Sequence, residues 1–303
     1  MRPETNDMDL AEAAEEELAF YREQLNYPDE AIRRATVMEL VVIGQPMYSE
    51  LLMEALADPS PHIRQIAVDG LVEMATETMI EDLAEMLRSE DAAARNQAMD
   101  VLARLGGQAV APMLRRLNDP DDDVRIFAAN VLGNIGSPQA FEGLRRALHD
   151  PTEHVGHAAA AALGQLADPR AVAPLLEILD EDEWVRFPAI EALGRLGDPR
   201  AVPTLLQLLE GDPWFHFPVV EALGKLGDAR TGAILLNYLD HENPTVGYAV
   251  IAALGRIDAR HDTHYLKQLV QPDVIALLAV AGRAADAEVR RSAVTALGGV
   301  GTG

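Results

Sequence analysis

A chain of 303 residues with a formal charge of −24 and no cysteine excludes several classes at once. Without thiols there is no disulfide, thiolate metal site or thiol nucleophile. So much negative charge also opposes a phosphate backbone or an anionic membrane surface, because Lys and Arg supply that binding energy.

Residues 1–26 read as an acid-rich helical lead-in, or N-terminal cap, with a frayed start. The opening MRPETNDMDLAEAAEEE lacks the apolar core of a secretory signal. The longest strongly apolar run, VIALLAVAG at 274–282, is too short to span a bilayer. A cytoplasmic protein is the expectation.

From residue 27 an internal repeat organises the chain. An apolar anchor opens a helix at Ile32, Ile63, Ala94, Val124, Val155, Val185, Phe215, Val246 and Val289. Successive anchors lie 30 or 31 residues apart until Val246, and 43 separate the last two. Eight residues after every anchor stands a leucine: Leu40, Leu71, Leu102, Leu132, Leu163, Leu193, Leu223, Leu254 and Leu297. Anchor, fourth residue and eighth residue form one helical stripe. Turns such as LGDPRA at 196–201 follow, with Gly197 as helix end, Asp198 as N-cap and Pro199 at the first helical position. A second apolar-periodic segment such as AVPTLLQLL at 201–209 completes each unit. Two short antiparallel helices per unit cannot bury their faces alone, so stacked units share one core.

The motif D-x5-R with an apolar residue before the arginine, then A-x3-L-G, is well represented by DPDDDVRIFAANVLGNIG at 119–136. It resembles HEAT repeats, particularly the short type named after phycobilisome lyases. The resemblance covers about residues 27–300. It implies an all-α, right-handed α-solenoid of about nine hairpins, read as a single domain: eight repeats over 27–257, then an irregular insert and a final repeat over 258–303. In that insert a helix is expected near 263–270, broken at Pro272. The fold hosts many tasks, so the resemblance says little about function.

Two residues after each anchor, the side chain points away from the core stripe. That position reads Arg34, Gln65, Asn96, Ile126, His157, Phe187, Phe217, Tyr248 and Arg291. In HEAT-type arrays this side resembles the concave, ligand-facing surface. Four rings in succession, His157, Phe187, Phe217 and Tyr248, make the groove of the later units the candidate site. Glu191 and Glu221 lie one turn on, and Arg195, Lys225 and Arg256 another. Aromatic and Arg side chains are what protein-interface hot spots favour.

One residue after the anchor stands Arg33, Arg64, Arg95, Arg125, Arg186 or Arg290. By resemblance such arginines pair with loop aspartates in a structural ladder, which would join Asp58 to Arg64, Asp119 to Arg125 and Asp180 to Arg186. The exceptions Gly156, His216 and Gly247 fall inside the aromatic zone and are expected to open space beside the rings. Pro188 and Pro218 should make the helices of their units start late or kinked. Trp184 and Trp214, in or beside the loops, are expected to pack at the edge of the array.

No catalytic constellation stands out. The HEAT-like deoxyhypusine hydroxylases hold two irons through His-Glu pairs, where this chain has His157-Ala158, Phe187-Pro188, Phe217-Pro218 and Tyr248-Ala249. His261, Asp262 and His264 are too few for a metal site. No metal or cofactor is assigned, and no nucleophile-elbow, phosphate-loop or dinucleotide motif occurs. The expectation is a non-enzymatic scaffold binding a basic or amphipathic protein segment, with neither nucleic acid nor membrane as partner. The alternative, suggested by the repeat type, is a phycobilin lyase-like subunit handling a tetrapyrrole.

Overall fold

The computed structural model describes residues 7–181, 183–261, 263–265, 287 and 290. Among them there are helices and turns and no β-strand. The chain divides into two compact units, Met1–Ala140 and Phe141–Gly303.

In the first unit α1 (Asp7–Leu25) is the lead-in helix. It is followed by α2 (Glu30–Ile43), α3 (Ser49–Glu54), α4 (Pro61–Glu73), α5 (Glu77–Glu85), α6 (Ala92–Leu105), α7 (Gly107–Arg116) and α8 (Asp122–Ile135). Two phenols fasten α1 to its neighbours. Tyr21 donates to Glu39 of α2 at 3.2 Å, and Tyr48 donates to Glu17 of α1 at 2.7 Å. Their rings meet edge to face at 5.6 Å. The Glu17 carboxylate and burial together push the Tyr48 hydroxyl up to about 12.

The second unit holds α9 (Phe141–Ala147), α10 (Glu153–Leu166), α11 (Val172–Glu181), α12 (Glu183–Leu196), α13 (Val202–Leu209), α14 (His216–Leu226), α15 (Gly232–Leu235) and α16 (Pro244–His261). Each unit is thus a stack of helical hairpins, the all-α solenoid arrangement that the repeat predicts. The eight leucines from Leu40 to Leu254 are all fully buried, as are the alanines or valines four residues before them from Ala67 onward.

In the second unit α10, α12, α14 and α16 pack on one another through their backbones. A Cβ added at Gly164 would lie 2.8 Å from the Cα of Ala192, one at Gly194 2.8 Å from that of Ala222, and one at Gly224 2.7 Å from that of Ala253. The glycines after the repeat leucines are therefore inter-helix contacts. Helix ends fall instead to Gly44, Gly136, Gly197 and Gly227, each at a φ of 64 to 67°. Asp29, Asp91 and Asp121 cap the helices that follow them, and Asp168, Asp198, Asp212 and Asp228 cap the 3-10 turns that lead into α11, α13, α14 and α15.

Two expectations need correction. Helix α12 runs from Glu183 with Pro188 inside it, so its start is not late. In the next repeat a 3-10 turn, Pro213–Phe215, does precede α14. Helix α16 extends to His261, and residues 263–265 are not helical, so no helix begins at 263. The remainder of that expected helix, the break at Pro272 and the unit anchored on Val289 lie outside the described residues.

The arginine ladder also differs from its expected form. Arg64 donates to the Asp58 carbonyl at 2.7 Å and Arg125 to the Asp119 carbonyl at 2.9 Å. Arg95 does the same to Ser89 at 2.7 Å, and Arg186 reaches the Leu179 carbonyl at 2.7 Å. The arginine therefore ties its own loop through backbone oxygens. The carboxylates serve other guanidinium groups: Asp58 pairs with Arg33 at 2.8 Å, and Asp119 with Arg88 at 2.5 Å. Asp180 is exposed.

Candidate functional site: an aromatic face on the second unit

Helices α10, α12, α14 and α16 present their outward stripes side by side, because the Gly–Ala contacts bring consecutive backbones together. His157 and Phe187 are exposed, while Phe217 and Tyr248 are half-buried. Each ring belongs to a different helix, and among the described residues none of the four stacks on another.

The tryptophans join this face. Trp184 precedes Phe187 by three residues on α12, and that spacing puts both on one side of a helix. Trp214 precedes Phe217 by the same three residues, but stands in the 3-10 turn before α14. Trp184 is 68 % and Trp214 78 % exposed, and Phe187 is 43 % exposed. Indoles this open are not packed away among loops, contrary to the expectation for the array edge. The signal was present in the sequence as the three-residue offset.

Charged groups continue the stripe. Glu191 pairs with Arg195 at 2.5 Å, and Glu221 with Lys225 at 3.9 Å, both within one helix. The half-buried Arg256 reaches back toward α14, where its Nη1 lies 3.6 Å from the position a Gly224 Cβ would take. Solvated pairs at this spacing contribute little to stability.

Two expected members do not lie on the face. Arg186 turns inward: besides its bond to Leu179, its guanidinium sits 5.1 Å over the Phe215 ring. His216 is only 8 % exposed. Its Nδ1 is 3.0 Å from Nε2 of His241, and its ring meets Tyr238 edge to face at 5.1 Å. Burial first, and then the proximity of His241, hold the His216 imidazole below the usual histidine range. The space expected beside the rings is filled. Gly156 is buried, with Leu148 O and Val185 Cγ2 both 3.0 Å from its added Cβ. Gly247 is buried as well.

His241 and Tyr238 carry no repeat signature, and sequence reasoning had no cause to single them out as partners of His216. In the first unit Met38 and Val42 of α2 are also exposed, one and two turns beyond Arg34.

Among the described residues no group of three His, Asp or Glu side chains could hold a metal ion. His261, read in the sequence beside Asp262 and His264, bonds the Gly227 carbonyl at 2.6 Å. No helix among the described residues is long and apolar enough to cross a membrane.

A family model described as HEAT repeats matches residues 18–103, 49–123, 110–186, 158–216 and 218–298. Among solved structures, Kap121p is similar at 12 % identity, over 98 % of this chain and 39 % of that one, with a TM-score of 0.63. Importin beta is similar at 14 % identity, over 92 % and 48 %, with a TM-score of 0.59. The complex of CpcE and CpcF of phycocyanin lyase from Nostoc sp. PCC7120 is 21 % identical over 75 % and 94 %, with a TM-score of 0.46. No curated protein matches the chain. At such identities the likeness speaks for the fold alone. With consecutive matches that together run from residue 18 to residue 298, the chain belongs to the HEAT-repeat family.

Proposed function

We propose that the protein is a non-enzymatic interaction scaffold that holds a segment of a partner protein against the aromatic face of its second unit. The observation that supports this most is the exposure of Trp184, Phe187 and Trp214 at repeated positions. Large apolar rings at one repeated offset keep much of their surface open to solvent, and exposed apolar patches of this kind mark contact sites. Trp, Tyr and Arg are also the residues that dominate binding energy. A net charge of −24 favours a partner segment with basic residues, which the carboxylates along the stripe would steer.

Affinity capture with the wild-type chain and with Trp184→Ala/Phe187→Ala and Trp214→Ala/Phe217→Ala variants tests the reading. Loss of two anchors should weaken retention of the partner at least tenfold, with the far-ultraviolet circular dichroism unchanged. Equal recovery of the same partner by all three chains would sink it. So would a visible-absorbance change on mixing with a bilin that depends on the same rings.

A further inference from the structure

The protons of the His216–His241 pair can be placed from the groups around it. The Asn243 backbone N–H lies 3.0 Å from Nδ1 of His241 and can only donate. That nitrogen is therefore the acceptor, and the neutral ring carries its proton on Nε2. The same Nε2 is 3.0 Å from Nδ1 of His216, which must accept in turn. His216 then carries its proton on Nε2, and the nearby Leu209 carbonyl favours a proton on that ring. Tyr238 donates to the same Leu209 carbonyl at 2.8 Å and stacks on His241 at 6.4 Å between centroids.

This relay runs from the loop before α16 to the start of α14, and Tyr238 ties the same cluster to the end of α13. Both links through His241 point one way, and they are complete only while the two imidazoles are neutral. A second proton on His216 would set its Nδ1–H against the Nε2–H of His241. A second proton on His241 would set its Nδ1–H against the Asn243 N–H. The first collision leaves a donor on the buried His216 without an acceptor, which is costly; the second breaks the exposed bond that ties His241 to its loop. The turn Pro213–Phe215 lies between two of the joined points and carries Trp214.

We propose that the His216–His241 pair is an acid-released latch that orders the Trp214 turn, so that the aromatic face loosens as its histidines take up protons. The latch is a regulation of that face and rests on the interaction reading for its biological use.

Burial and the neighbouring imidazole set the direction against the carboxylates around the pair. Burial and His241 oppose a proton on His216, and they outweigh the Leu209 carbonyl and the Asp212 carboxylate, which favour one. Glu210 acts on Tyr238, Asp240 and Glu242 flank His241 in its loop, and the Arg186 guanidinium lies over the adjoining Phe215 ring. A histidine held below its ordinary value binds its proton first in the released state. The ordered turn is thus fully favoured above about pH 6.5 and loses stability as the pH falls below it.

The test needs no partner, so it fails separately from the binding reading. In the full chain with Trp184→Phe, Trp214 is the one remaining indole. Between pH 7.5 and 5.0 its fluorescence anisotropy should fall. Amide exchange over 209–217 and 240–246, corrected for the intrinsic pH effect, should speed up about tenfold while 219–226 stays protected. In His216→Gln/His241→Gln, or in His241→Gln alone if the double variant loses helicity, these changes should shrink to a threefold effect or less. Constant anisotropy and protection in the parent chain, or an undiminished response in the variants, would overturn the latch.

Discussion

Ala167 occupies the left-handed region, with a φ of 52°, where Gly136, Gly197 and Gly227 stand in the neighbouring turns. A Cβ there costs roughly 1 kcal/mol or more. Ala167→Gly should therefore stabilise the protein by about 1 kcal/mol, read as a higher urea midpoint by circular dichroism. This departure from the repeat grammar is visible in the sequence, as QLADPR in place of RLGDPR. Other residues were less legible. Arg64 and Arg125 are followed to their loops correctly, yet spacing alone does not say whether a guanidinium six residues on meets a carboxylate or the carbonyl of the same residue. The burial of His216 depends on Tyr238 and His241, more than twenty residues later in the chain, where no periodic signal reaches. Phe187, by contrast, is exposed where its helical offset from Val185 places it, while Trp184, expected to pack at the array edge, stands open.

Among the helices, the glycines within α10, α12 and α14 are the least replaceable residues. Gly194→Val would drive a side chain into the backbone of Ala222, which has no rotamer with which to yield. Forcing α12 and α14 apart should cost about 1–3 kcal/mol. Gln165→Val, on the exposed side of α10, should stay within about 0.5 kcal/mol. Thermal unfolding of the two variants distinguishes them. From sequence these glycines resemble helix terminators, since a turn follows within three residues. Only the stacking of one repeat on the next reveals that the missing side chain is the contact. The helices themselves, their aspartate caps and their buried stripes follow from local pattern, which is why the stack of hairpins is legible in the sequence, whereas the division after Ala140 is not. The aromatic face is legible too, as a period rather than as a surface.

For the whole molecule, a charge of −24 gives the proposed partnership a distinctive dependence on ionic strength. Association with a basic segment should slow markedly between 0.05 and 0.5 M salt, because the Debye length shrinks from about 14 to about 4 Å over that range. The dissociation rate should change little, since it is held by the rings. Surface plasmon resonance separates the two rates, and a salt-independent association rate would remove charge from the account. The close backbone approach among α10, α12, α14 and α16 gives the second unit a fixed gauge. Neighbouring stripes lie one helix-packing distance apart, roughly 8–10 Å at most, whatever side chains they carry. An outward residue can therefore be exchanged without moving the position at which it meets a ligand, so the vocabulary of the face is free to change while its reading frame stays constant.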